Sequence, residues 1–157
     1  MRKLNGAEFR VMRLQESPTE NDAVDCPERV VSYLRDQMKH SNLYNPDAEN
    51  MMVIYLNTRM KPIGWQIIST GTLDTLLVHP REIFKGAIIV NSSAIVLAHN
   101  HPSGDPQPSE ADIKVTRDLI RAGELLRIPV QDHMVLGNTT DTSKGYCSLR
   151  ELGYFYN

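Results

Sequence analysis

Residues 98–112 read AHNHPSGDPQPSEAD, and this stretch decides how the chain is organised. Ahead of it, Ala94 to Ala98 (AIVLA) is a short apolar run bounded by polar residues, which predicts a buried strand ending in His99-Asn100-His101. PSGDPQP holds three prolines and one glycine in seven residues, so the chain must turn there. Ser109 then predicts the cap of a long helix over Glu110 to Leu126, with Ile113, Leu119, Ile120 and the Leu125–Leu126 pair on its apolar face. Pro129 stops the helix, and Val130 to Leu136 predicts the next strand.

Working outward, Asp25-Cys26-Pro27-Glu28 reads as a helix start. Asp25 is the expected cap and proline sits in the first turn, and the helix runs to about His40 with Val30, Val31, Leu34 and Met38 buried. Glu49 to Asn57 is an apolar run and Ile63 to Ser69 returns after the TRMKP turn, which predicts a hairpin and a sheet at least partly antiparallel. Pro80 to about Asn91 reads as a helix, GNTTDTSKG as a loop and CSLRELGYF as a last short element. Residues 1–24 are polar and mixed, with a short strand expected in LNGAEFRVMRL and a linker in ESPTENDAVD. The expectation is one α/β domain over residues 25–157 behind an N-terminal extension, 1–24.

Composition sets the class. With 157 residues, 41% hydrophobic and 23% charged, the chain can bury a core without disulfide or metal staples, which excludes a disordered tail, a fibre or a coiled coil. No apolar run approaches the ~18 residues of a membrane span, and the N-terminus has no apolar export core. A cytoplasmic protein is therefore expected, with Cys26 and Cys147 as reduced thiols. Net charge is −2 and Lys and Arg are scattered, so nothing predicts a concentrated positive surface for DNA.

Residues two apart on a strand point the same way, so His99 and His101 converge. Residues three apart in a first helical turn share a face, so Ser109 and Asp112 are neighbours. If the proline-rich loop folds the helix start back on the strand end, two imidazoles and a carboxylate meet. That set suits zinc, with three protein ligands and one position left for water. Bound zinc lowers the pKa of that water toward ~7. Hydrolysis then needs an acid/base, for which Glu49 at the start of the first strong strand is the best candidate and Glu82 the rival. It also needs a donor to the oxyanion, a role Ser109 can fill.

His99, His101, Ser109 and Asp112 match the His-x-His, seven residues, Ser, two residues, Asp pattern of JAMM metalloproteins. The frame VHPREIFKGAIIVNSSAIVLAHNHPSGDPQPSEADI, with DHMVLG and Gly-Tyr-Cys-Ser after it, resembles the RadC branch of that superfamily. The resemblance covers roughly residues 25–157. It implies the JAB1/MPN fold, a curved mixed sheet flanked by helices and similar to cytidine deaminases. It also implies one zinc per chain held by His99, His101 and Asp112, with Ser109 stabilising the tetrahedral intermediate and Glu49 acting on the water. RadC proteins usually carry helix-hairpin-helix motifs ahead of this domain. Only about 25 weakly patterned residues stand there in this sequence, so a DNA role loses its most obvious support.

Each of these residues also has a plainer reading. Ser109 is a good cap on chemistry alone. His40 suits a helix end, and His79 precedes a proline and reads as structural. His133 is open to a supporting or substrate-side role. Asn100 points away from the two histidines and braces the loop. The methionines read as core filler. Two functions follow: a zinc-dependent hydrolase acting on an amide, peptide or isopeptide bond in a protein or peptide substrate, or a DNA-repair-associated accessory protein.

Overall fold

Strand β1 (Glu49–Leu56) is buried along nearly its whole length, which is why its sequence is a continuous apolar run and not an alternating one. It is flanked by β2 (Pro62–Gly71) and β3 (Ala94–Asn100), both antiparallel to it. The chain then crosses through α3 (Glu110–Leu126) to β4 (Val130–Leu136), parallel to β3, and closes with a short antiparallel β5 (Tyr146–Ser148). The sheet order is β2-β1-β3-β4-β5, a mixed five-stranded sheet in a computed structural model that describes residues 22–71 and 78–156. The strand expected in residues 1–24, most of the linker expected after it, and residues 72–77 lie outside the described residues.

Side-chain alternation divides the core in two. On one face, Val30, Val31 and Leu34 of α1 (Pro27–His40) pack over Met52, Ile54 and Val96. On the other, Ile83 and Phe84 of α2 (Pro80–Ile89) and Leu119 of α3 cover Met51, Val53 and Leu97. Each fully buried side chain of this size contributes about 1.5–3 kcal/mol, so these layers hold the frame on which the polar residues at one end of the sheet are carried. Odd-numbered residues of β1 and β3 face α2 and α3. Glu49 and His99 are therefore on the same face. The register that sets Met51 opposite His99, continued by two residues, sets Glu49 across from His101.

Several boundaries differ from expectation. The N-cap of α1 is Cys26, with no side-chain cap bond, and Asp25 instead pairs with Arg29 at 3.1 Å, one turn along. β1 stops at Leu56 because Asn57 turns the chain, its Oδ1 accepting from the Arg59 and Lys61 amides. α2 ends at Ile89, with Asn91 in the left-handed region at φ 54°. α3 spans Glu110–Leu126 as expected, but the stop comes from a left-handed Arg127, two residues before Pro129. Beyond β5 the final segment is turns. Among the described residues no helix is long and apolar enough to cross a membrane.

Candidate metal centre

The loop after β3 is pinned to the strand beside it. The His101 amide extends the ladder to the Leu136 carbonyl at 2.8 Å, and the Asn138 amide reaches the Gly104 carbonyl at 2.8 Å. Gly104 has φ +85°, and a Cβ there would meet the Asn138 side chain at 2.4 Å. Glycine therefore permits both the conformation and the close approach. This path returns the chain to Ser109, the N-cap of α3. A reciprocal capping box follows: Ser109 Oγ accepts from the Asp112 amide (3.2 Å) and the Ser109 amide donates to Asp112 Oδ2 (2.7 Å). The Ser109 hydroxyl also donates to Asp112 Oδ2 at 2.7 Å.

Strand end and helix start thus bring four side chains to one point. Glu49, His99, His101 and Asp112 each offer a ligand atom, all within 4.8 Å of one another. The two Nε2 atoms are 3.0 Å apart. Asp112 spans them, Oδ1 at 3.4 Å from His99 and Oδ2 at 3.7 Å from His101. Glu49 Oε1 stands 3.9 Å from both rings. Tetrahedral zinc with ~2.0–2.1 Å bonds separates its ligand atoms by roughly 3.3 Å, so the two histidines and Asp112 fit such an ion while Glu49 stands farther off. His99 and Asp112 are buried; Glu49 and His101 are partly exposed, so the centre opens on their side.

His101 Nδ1 lies 2.8 Å from the Asp105 carbonyl, which can only accept. The ring proton is therefore on Nδ1, and the Nε2 lone pair faces the centre. Burial alone raises the Asp112 pKa, but His99, with the Ser109 hydroxyl and amide, outweighs it and holds the carboxyl well below the usual carboxylate range. Two carboxylates and two imidazole nitrogens converging on one point make a donor set that suits a dication.

Behind the centre, His133 Nε2 lies 2.8 Å from His99 Nδ1, and His133 Nδ1 lies 2.6 Å from Thr116 Oγ1. Burial, then the adjacent His99, holds the His133 ring well below the ordinary histidine pKa. Asp132 fixes its backbone, Oδ1 accepting from the His133 amide at 2.7 Å.

Glu49 is held from the opposite face of the sheet. Asn100 Oδ1 accepts from the Asn50 amide and Nδ2 (both 2.9 Å), and its Nδ2 donates to the Ala48 carbonyl (2.9 Å). One carboxamide on β3 thereby clasps both neighbours of Glu49 on β1. Asn100→Ala removes the partner of the buried Asn50 amide and is expected to cost about 1–3 kcal/mol, read as a lowered urea midpoint. An unchanged midpoint would contradict the clasp.

The remaining candidates lie elsewhere. Glu82 is on α2, paired with Lys85 at 3.3 Å and outside the cluster. His40 donates from Nδ1 to the Asp36 carbonyl. His79 is the N-cap of α2 without a side-chain cap bond. Thr116 and Asn50 were not anticipated. Thr116 had one signal: it is a polar residue one helical turn after Asp112, on the same face.

A family model for the RadC-like JAB domain matches residues 24–154. The chain belongs to the RadC family. The RadC-like domain is 43% identical over 136 residues to a UPF0758 protein of Caldanaerobacter subterraneus, covering 87% of this chain and 54% of the relative. It is 45% identical over 117 residues to one from Moorella thermoacetica, covering 74% and 49%. A UPF0758 protein of Methanosarcina mazei is 35% identical over 133 residues, covering 83% and 56%. The chain spans about half the length of the curated relatives it matches.

Proposed function

We propose that the RadC-like domain is a zinc-dependent hydrolase of the JAMM type, cleaving an amide, peptide or isopeptide bond of a protein or peptide substrate. The observation that carries this reading is the pair of Nε2 atoms 3.0 Å apart, with the Asp112 carboxylate spanning both and Glu49 facing them. The donor set, two nitrogens and one carboxylate, suits zinc. His99, His101 and Asp112 would hold the ion. When bound, zinc supplies Lewis acidity that lowers the pKa of a water toward ~7 and polarises the scissile carbonyl.

The chain's own residues supply the rest. Glu49, outside the tighter trio and partly exposed, takes the proton of the attacking water and returns it to the leaving amine. Ser109 places Asp112 through the capping box. Its O–H turns from Asp112 to the carbonyl oxygen as charge develops there, while Oγ still accepts from the Asp112 amide. His99 and Asp112, buried, hold the inner side of the centre; substrate approaches past His101 and Glu49.

A panel of peptide- and isopeptide-linked fluorogenic substrates tests the reading. Cleavage is expected with the zinc-loaded protein, is abolished by a chelator and returns when zinc is restored. No cleavage across the panel by protein shown to hold zinc contradicts it. Restoration by ferrous iron but not by zinc assigns the same donor set to another metal.

A further inference from the structure

Behind the ligands runs a chain of buried hydrogen bonds that the hydrolytic steps do not use. It passes from His99 Nδ1 to His133 Nε2 (2.8 Å), from His133 Nδ1 to Thr116 Oγ1 (2.6 Å), and from Thr116 Oγ1 to the Asp112 carbonyl (2.6 Å). His99 and Thr116 are 0% exposed and His133 1%, so no solvent competes.

The last acceptor fixes every proton in the chain. A backbone carbonyl only accepts, so the single Thr116 hydroxyl proton goes to Asp112 O. Thr116 Oγ1 must then accept from His133, whose proton is on Nδ1. The neutral His133 ring therefore offers a lone pair at Nε2 and accepts from His99 Nδ1–H. That leaves the Nε2 lone pair of His99 facing His101 Nε2, whose lone pair the Asp105 carbonyl aims the same way. Two lone pairs 3.0 Å apart are stabilised by a shared cation, either a proton or a metal ion. Both ends of the chain are ligand residues, and it ties together β3, β4 and the first turns of α3.

We propose that Thr116 and His133 are positioning residues that lock His99 in the tautomer able to bind a metal and fix it relative to Asp112 before the metal arrives. The inference rests on the metal-centre reading above. Without the Thr116 hydroxyl, His133 Nδ1 has no acceptor. The His133 proton then moves to Nε2 and donates to His99 Nδ1. The His99 proton is displaced to Nε2, where it competes directly with the metal.

The test is long-range ¹H–¹⁵N correlation on histidine-labelled, zinc-free protein at about pH 8, with zinc affinity measured by chelator competition. Wild type is expected to show His99 and His133 both protonated at Nδ1. Thr116→Val is expected to move both protons to Nε2 and to weaken zinc by about 10–100-fold. Thr116→Ser, which keeps the hydroxyl, restores tautomer and affinity. A wild-type His99 protonated at Nε2, or a folded Thr116→Val that binds zinc as tightly as wild type, overturns the proposal. If Thr116→Val fails to fold, the wild-type tautomers decide alone. Failure of wild type to bind zinc strikes the metal-centre reading instead, since the tautomers are read without metal.

Discussion

Glu49→Gln is expected to lower kcat on a cleaved amide substrate by about 10²–10⁴-fold and to leave one zinc bound. Glutamine keeps the size and polarity of the side chain but cannot take a proton. Glu49 stands 3.9 Å from both imidazoles, whereas the histidines and Asp112 approach each other more closely, so metal retention does not depend on its charge. The Ala48–Asn50 clasp by Asn100 does not involve the Glu49 carboxylate, so the backbone stays in place. KM should move little, because the defect is in proton transfer. Wild-type turnover in Glu49→Gln would remove the acid/base assignment; loss of zinc with turnover would make Glu49 a ligand. Glu82→Gln is the control and should leave kcat unchanged, since Glu82 is engaged with Lys85 on the surface of α2.

Asp112→Asn is expected to weaken zinc by at least about 10²-fold, more than the 10–100-fold usual for partners behind the ligands. The substitution removes the Asp112 charge and replaces an oxygen that faces His99 or His101 with an amide nitrogen. It also disturbs the capping box, because Oδ2 accepts from both the amide and the hydroxyl of Ser109. Loss of that cap costs about 0.5–2 kcal/mol. In the zinc-free protein, wild type and Asp112→Asn should diverge with pH. The Asp112 carboxyl is held below its usual range when folded. The stability it confers is therefore full above the unfolded value near ~3.9 and is lost as pH falls from there toward the lower folded value. Urea melts of wild type should weaken across that window, and those of Asp112→Asn should lack this component. Identical pH dependence in the two proteins would mean that the carboxylate gains nothing from its neighbours.

Much of this arrangement was legible because it follows from short-range periodicity. Continuous apolar runs marked β1 and β3, since strands covered on both faces need no polar residues. Ser109, three residues before Asp112, marked the start of α3, because capping is local chemistry. Period two placed His99 and His101 on one face and Asn100 on the other.

What was not legible depends on which strands become neighbours. His133 reaches His99, 34 residues away in sequence, because β4 lies parallel to β3 with Leu97 opposite His133. Asn50 joins Asn100 only through the antiparallel register of β1 and β3. Asp25 reads as the cap of α1 from side-chain chemistry alone. Cys26 takes that position, and an ion pair to Arg29 serves Asp25 as well. Which of two nearby residues caps a helix turns on backbone angles that side-chain identity does not set.

The most direct test of the central claim is metal content by mass spectrometry on untagged protein purified without added metal, beside His101→Ala. About one zinc per chain in wild type, absent from the variant, is the predicted result. No metal in wild type, and no uptake when zinc is supplied, would contradict the account.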